Sequence, residues 1–233
     1  TALKMQSDFV SFVSHQLRTP LTGIKWLLEL AMEQPDDAFE DARSLMVDAK
    51  ASAVRLIELV NDLLDAARLE SGKFNPTPQT IDLAEVTDEV IKDLEPLIRE
   101  RDQELGFSRL SVKVNADPKL LREVTTNLLS NAVKYTPARG RICVALKRDE
   151  DGVRWEVTDS GIGVPEAGRA RLFEKFFRAD NAATLETEGT GLGLYLVRLM
   201  IEKSGGQVQY EAPPEGGSRF AFTLPLADQE EYI

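Results

Sequence analysis

The sequence predicts an α plus α/β protein, an N-terminal antiparallel helical hairpin followed by a mixed α/β domain. Three observations carry this. Apolar residues recur at helical spacing, with one break, as far as about Leu69. A stretch rich in Pro, Gly and polar residues at 71–80 then ends the helical pattern. Beyond it, helical stretches alternate with short strand-like runs bounded by turn residues such as Gly140 and Asp151-Gly152.

In the first helix, from Leu3 to about Met32, Phe9, Val13, Leu17, Leu21, Ile24 and Leu28 recur at three- and four-residue steps. The opposite face carries Lys4, Asp8, Ser11, His15, Thr19, Thr22, Lys25 and Glu29. Glu33-Gln34-Pro35-Asp36-Asp37 breaks the pattern, because a proline disfavours helix at the residue before it. The second helix runs from about Phe39 to Leu69. There Ala42, Met46, Ala49, Ala53, Leu56, Val60, Leu63 and Ala67 alternate at four and three, a coiled-coil seam. Leu45, Ile57, Leu59 and Leu64 widen the stripe beyond what one partner helix covers. A second hairpin buries that excess best, so the pattern predicts a homodimer through a four-helix bundle.

After the break, helices are expected at 83–102, 118–134 and 191–204, and strands at 110–115, 141–148, 153–158, 206–211 and 218–224. Residues 165–188 read as a long loop with a short helix around 170–177; loops of that length are usually functional. The expected organisation is a hairpin domain at 1–70, a linker at 71–80 and a second domain at 81–233.

Composition narrows the function. The formal charge of −11 speaks against nonspecific nucleic-acid binding, and an anionic ligand would need a local cradle. The single cysteine, Cys143, excludes an intrachain disulfide and a Cys-based zinc site; it reads as a small buried apolar residue in a strand. No apolar run approaches the roughly 18 residues that span a bilayer. Thr1 begins nothing like a signal peptide, and the chain opens inside a helical pattern, so it reads as a fragment.

Three segments of the second domain suit a nucleotide. In Asn127-Leu128-Leu129-Ser130-Asn131-Ala132-Val133-Lys134-Tyr135, Asn127, Asn131 and Lys134 fall on one helix face. Two amides supply oxygen ligands for Mg²⁺, and a lysine neutralises phosphate. Asp159-Ser160-Gly161-Ile162-Gly163 follows a strand, where a carboxylate can accept from the exocyclic amine of adenine and glycines let backbone approach a flat ring. Gly189-Thr190-Gly191-Leu192-Gly193-Leu194 runs into an apolar helix, a setting in which free N–H groups face phosphate. It is no Walker A loop, since no Gly-Lys-Ser/Thr follows. Each segment alone has an ordinary reading: a polar helix face, an Asp-Gly turn, a hinge before a helix.

Together, in this order and spacing, the segments resemble the ATP-binding boxes of sensor histidine kinases. Residues 127–135 resemble the N box and 159–163 the first glycine box. Glu174-Lys175-Phe176-Phe177-Arg178 resembles the F box and 189–194 the second glycine box. Ser14-His15-Gln16-Leu17-Arg18-Thr19-Pro20 resembles the phosphoacceptor box, and His15 is the only histidine in the chain. The resemblance covers essentially the whole chain. It implies an α/β sandwich of the histidine-kinase/chaperone ATPase type, with ATP and Mg²⁺ as cofactors. Asn131 and Asn127 would hold the metal. Lys134 and Tyr135 would contact phosphate and nucleotide, Asp159 would read the adenine amine, and Gly161 and Gly163 would line the base pocket. Arg178 would reach the γ-phosphate. Gly189, Thr190, Gly191, Leu192 and Gly193 would close over the phosphates, with 165–188 as the lid and Phe173, Phe176 and Phe177 as its apolar anchors. The implied partners are a second copy of the chain and the receiver domain of a response regulator. The implied location is cytoplasmic, the sensor or membrane region lying outside this fragment.

The same resemblance makes His15 the nucleophile. Imidazole suits the task, because its unperturbed pKa of about 6.5 leaves it mostly neutral at pH 7. Pro20 cannot donate to the carbonyl of Gln16, which predicts a kink one turn after His15. Thr19, one turn on, occupies the position that in related kinases orients water for dephosphorylating the regulator. Two rival readings are an ATPase of the same superfamily and a degenerate kinase that serves as a regulator-docking or phosphatase module. Such ATPases place a glutamate base where Asn127 stands, and they lack the hairpin. The departure from the family pattern is Gln16, where Glu or Asp is usual. Its amide oxygen can accept from the imidazole but carries no charge. A partly exposed charge–imidazole contact is worth on the order of 1 kcal/mol, several-fold in rate. Autophosphorylation is therefore expected to be slow but present, and Gln16→Glu to accelerate it several-fold; an unchanged rate would show that the acid is dispensable here.

Overall fold

The structure is a computed structural model that describes residues 2–33, 39–72, 75–149, 152–185 and 189–227; within these, the side chains of residues 2–12, 15 and 149 are excepted. The chain divides into two compact units, Thr1–Asp65 and Ala66–Ile233.

The first unit is the predicted hairpin. Helix α1 spans Ala2–Met32 as one helix with Pro20 inside it, and α2 begins at Phe39 and ends at Glu70 in the second unit. The connection at 34–38, including Pro35, lies outside the described residues. The seam differs from the one expected. Along α2 the more enclosed positions are Leu45, Ala49, Ser52, Leu56, Leu59 and Leu63, whereas Met46 and Val60 are exposed. On α1, Val13, Leu17, Ile24 and Leu27 are partly covered, whereas Leu21 and Leu28 are exposed. The reason is the width of the apolar stripe. One partner helix covers only part of it, and Trp26, Met46, Ile57, Val60 and Leu64 remain on the surface of the single chain.

The second unit is a two-layer sandwich. Strands β2 (Glu104–Ser108), β4 (Arg141–Asp149), β5 (Gly152–Asp159), β6 (Gln207–Glu211) and β7 (Ser218–Leu224) form one sheet in the order β2-β4-β5-β7-β6. Only β2–β4 is parallel. Helices α3 (Leu83–Glu100), α4 (Pro118–Tyr135) and α7 (Gly193–Lys203) form the helical layer; α4 packs beside α3 and α7. Between the layers lie Ile142, Val144, Trp155, Val157, Phe222, Leu128, Leu129, Val90 and Leu196, all nearly or fully buried. Trp155 stacks on Phe222 with ring centroids 5.2 Å apart, and its indole N–H donates to Thr87 Oγ1 at 3.1 Å. A buried indole N–H without such an acceptor would be costly.

Two strands were not expected: β2 and β1 (Gln79–Asp82), the latter pairing antiparallel with β3 (Lys113–Ala116). Strand β1 straddles the end of the stretch read as linker, and β2 has only Leu105 and Phe107 on its covered side, too short an alternation to register. The strand expected at 110–115 starts at Lys113. The short helix expected at 170–177 does not form. A single-turn helix α5 (Glu166–Arg169) precedes a run of turns, and the positive φ of 66° at Phe176 is incompatible with helix. A second short helix, α6, covers Asp180–Leu185. Cys143 lies in β4 as expected but is exposed, because helices cover only one face of the sheet and alternate β4 residues point to the other. Among the described residues no helix is long and apolar enough to cross a membrane.

Candidate nucleotide site

Helix α4 is the frame of the site. Asp117 caps its N-terminus, accepting from the backbone of Lys119 at 2.9 Å and Leu120 at 3.4 Å, and Pro118 opens its first turn. Burial would raise the Asp117 carboxyl, but backbone donors, including Thr77 N at 2.9 Å, hold it below the ordinary range. Its apolar face, with Leu121, Val124, Leu128 and Val133, enters the core. Asn127, Asn131 and Lys134 are therefore held together on the half-buried opposite face, as the spacing predicts.

The two glycine boxes reach α4, and the F box reaches the second of them, through close approaches to glycine backbone. An atom at the Cβ position of Gly161 would lie 2.5 Å from the carbonyl oxygen of Tyr135, and one at Gly193 would lie 2.4 Å from Oδ1 of Asn127. Both are closer than real contacts allow. At Gly191 the added atom would meet the backbone of Phe176 at 2.7 Å, and at Gly189 the guanidinium of Arg178 at 3.0 Å. Gly191 has φ +67°, and its carbonyl accepts from Phe176 N at 3.0 Å. Gly163 has φ +63° and lies against the backbone of Gly217. The four boxes are thus contiguous within the second unit. Leu192 is fully buried at the entry to α7, and its N–H donates to Thr190 Oγ1 at 3.1 Å. Residues 186–188 of the expected lid lie outside the described residues.

Asp159 ends β5 with 6% exposure. Its Oδ1 accepts from Gly161 N at 2.8 Å, and the backbone of Ser218 also donates to the carboxylate. Burial outweighs these bonds and pushes its pKa up to about 6. Phe173 meets Phe220 edge-on at 6.4 Å, and Arg171 stacks over Phe177 at 4.6 Å. Phe173, Phe176 and Phe177 are each half-buried. In the first unit, Gln16 is half-buried and Thr19 exposed on α1, while the side chain of His15 lies outside the described residues.

Several contributors were not read from the sequence. Gly217 packs against the carbonyl of Asp159, where a Cβ would come within 1.9 Å. Glu70 Oε1 accepts from Lys175 Nζ at 2.7 Å and from the Tyr195 hydroxyl at 2.5 Å, beside the F box and the first turn of α7. Burial and the Glu70 carboxylate push the Tyr195 phenol up to about 12, so it stays a donor. No local pattern signals these, since each depends on a distant partner. Among the described residues no cluster of three or more His, Cys, Asp and Glu could hold a metal ion.

Two family models match the chain: "His Kinase A (phospho-acceptor) domain" over residues 5–72 and "Histidine kinase-, DNA gyrase B-, and HSP90-like ATPase" over 116–228. The chain is 33% identical over 225 residues to the circadian input-output histidine kinase CikA of Synechococcus elongatus, covering 94% of this chain and 30% of CikA. It is 31% identical to a solved mycobacterial sensor histidine kinase MprB, covering 66% of this chain and 100% of that one, with TM-score 0.55. It shares the fold of histidine kinase ThkA in complex with response regulator protein TrrA, with TM-score 0.77, 24% identity and coverage of 97% and 63%. The chain spans 19% to 34% of the length of the curated relatives it matches.

Asp159 gives a test of the site's electrostatics. Its native pKa lies above the unfolded value of 3.8, so the folded protein holds the proton more tightly. The contribution to stability is fully present below about pH 4 and is lost as pH rises through about 6. Asp159→Asn, which keeps the acceptor oxygen, is expected to stabilise the nucleotide-free protein at pH 7.5 by on the order of 2 kcal/mol and to match wild type near pH 4. Urea denaturation at both pH values measures this; a variant less stable than wild type at pH 7.5 would contradict it.

Proposed function

The chain belongs to the sensor histidine kinase family, and on that premise we propose that it transfers the γ-phosphoryl group of ATP to His15 and from there to an aspartate of a response regulator. The observation that carries this reading is that both glycine boxes meet α4, which bears the N box, and that the F box meets the second of them, in a chain whose only histidine lies in its phosphoacceptor-type domain. The chain contains the ATPase-type domain of the family, so use of ATP follows from membership. The proposed organisation is the phosphoacceptor hairpin at 1–70, a linker at 71–80 and the ATP-binding domain at 81–233.

In this reading Asp159 accepts from the adenine amine through the carboxylate oxygen that Gly161 N does not engage. Gly161 and Gly163 leave room for the flat base beside the backbone. Lys134, Tyr135 and Arg178 meet the phosphates, and the glycine backbone of 189–193, leading into α7, adds the cradle that the net charge of −11 requires. Asn127 and Asn131 fit Mg²⁺: they present neutral hard oxygen donors on one face of α4, and Asn127 Oδ1 sits against the Gly193 backbone, beside the phosphate cradle. Bound there with the triphosphate, Mg²⁺ would offset charge on the transferring group. A ring nitrogen of His15 attacks the γ-phosphorus, the bond from phosphorus to the β–γ bridging oxygen breaks, and ADP leaves. Gln16 orients the imidazole, and Thr19 orients water for the reverse task of dephosphorylating the regulator.

The proposed partners follow from the same reading. A second copy covers the exposed Met46, Ile57, Val60 and Leu64 stripe in a four-helix bundle. A receiver domain takes the phosphoryl group, as the ThkA–TrrA complex suggests for a chain of this fold. The proposed setting is the cytoplasmic part of a longer, membrane-anchored sensor. The experiment is incubation with γ-labelled ATP and Mg²⁺. Wild type is expected to gain label that is lost in acid and kept in base, and His15→Ala to gain none. Label that survives acid, or that persists in His15→Ala, would overturn the reading.

A further inference from the structure

We propose that Gln103 and Arg101 are positioning residues for nucleotide binding, which fix the last turn of α4 and, through the Tyr135 carbonyl, the loop that carries Asp159. The inference rests on the reading above, in which Lys134, Tyr135 and Asp159 hold ATP.

The last four carbonyls of a helix have no partner inside it. In α4 each finds one outside, and the donors come from two directions. The carbonyl of Ala132 accepts from Thr136 N at 3.1 Å. That of Val133 accepts from Gln103 Nε2 at 3.0 Å and Arg101 Nη1 at 3.4 Å, and that of Lys134 from Arg101 Nη1 at 3.1 Å. The carbonyl of Tyr135 accepts from Ile162 N at 3.3 Å, and just past the helix that of Thr136 accepts from Gln103 Nε2 at 2.7 Å. One side of the turn is therefore held by the α3–β2 connection and the other by the loop after β5.

Both donors suit this task. Gln103 is buried, and its amide spans two carbonyls that water does not reach. Arg101 brings a positive charge to the negative end of the helix. Asp102, between them, has φ +53°, a conformation seldom adopted by residues other than glycine. Asp102 N donates to Arg99 O at 3.0 Å, Gln103 N to Ile98 O at 3.0 Å, and Arg139 N to Arg101 O at 3.3 Å. The turn thus points two successive odd-numbered side chains at one helix end. Gly161 already lies against the Tyr135 carbonyl, so movement of this end moves the Asp159 loop with it.

The test compares Gln103→Met, which keeps length and removes the donor, with Thr87→Val, which removes a buried hydrogen bond to Trp155 elsewhere in the same unit. Gln103→Met is expected to raise the Kd for ADP about tenfold. It should also speed amide exchange of Ile162 in nucleotide-free protein, while kcat at saturating ATP stays unchanged. Thr87→Val should lower Tm without moving Kd or the Ile162 exchange. Arg101→Ala is expected to act in the same direction about threefold, and it carries the test if Gln103→Met does not fold. Unchanged Kd and Ile162 exchange in the variants, or equal changes in Thr87→Val, would overturn the proposal. If wild type binds no ADP, the ATP reading fails instead, and the Ile162 exchange still decides whether Gln103 holds the loop.

Discussion

The site depends on close approaches to three glycines, each of which leaves no room for a Cβ. The carbonyl of Tyr135 would lie 2.5 Å from a Cβ at 161, and the amide oxygen of Asn127 would lie 2.4 Å from a Cβ at 193. These two contacts bring the segment after β5 and the entry to α7 onto one helix. A third, between Gly191 and the Phe176 backbone, adds the F box. Without them α4 would still pack on the sheet, because its apolar face does not touch the glycines. The core sets where α4 lies, and the glycines set what lies beside it.

Function and stability pull apart within this arrangement. Asp159 is buried at a strand end where its charged form is disfavoured, so the protein without nucleotide carries a cost there. An adenine amine would offset that cost by donating to the carboxylate. The Glu156 carboxylate, also buried, shows the opposite case. Burial would raise it, but Lys147 Nζ at 2.5 Å and Arg154 Nε at 3.1 Å hold it low, and it is a stabilising part of the sheet's outer face. Two acids of similar burial differ because Glu156 is paired with cations, whereas the donors that lower Asp159 are backbone N–H groups.

Much of this was legible in the sequence where the signal is local. The 3.6-residue period located α1, α2, α3, α4 and α7 to within a few residues, and the segments that resemble the boxes lie against one another in the fold. The signal failed where the cause is distant. Strand β1 depends on pairing with β3 some thirty residues on, and Cys143 is exposed because α3, α4 and α7 pack on the other face of the sheet. The inner seam of α2 was displaced because the apolar stripe is wider than one partner, and periodicity alone does not say which part meets α1. Gln103 and Gly217 carry no motif; their roles exist only once α4 and β5 are in place.

The most direct measurement is a matched pair of glycine replacements. Gly106, in β2, has open space where a Cβ would stand, whereas Gly161 has none. Calorimetric titration with ADP and Mg²⁺ of Gly161→Ala and Gly106→Ala, each verified as folded, compares the same chemical change in the two settings. The account predicts wild-type affinity for Gly106→Ala and at least about tenfold weaker binding for Gly161→Ala. Equal affinities would contradict it.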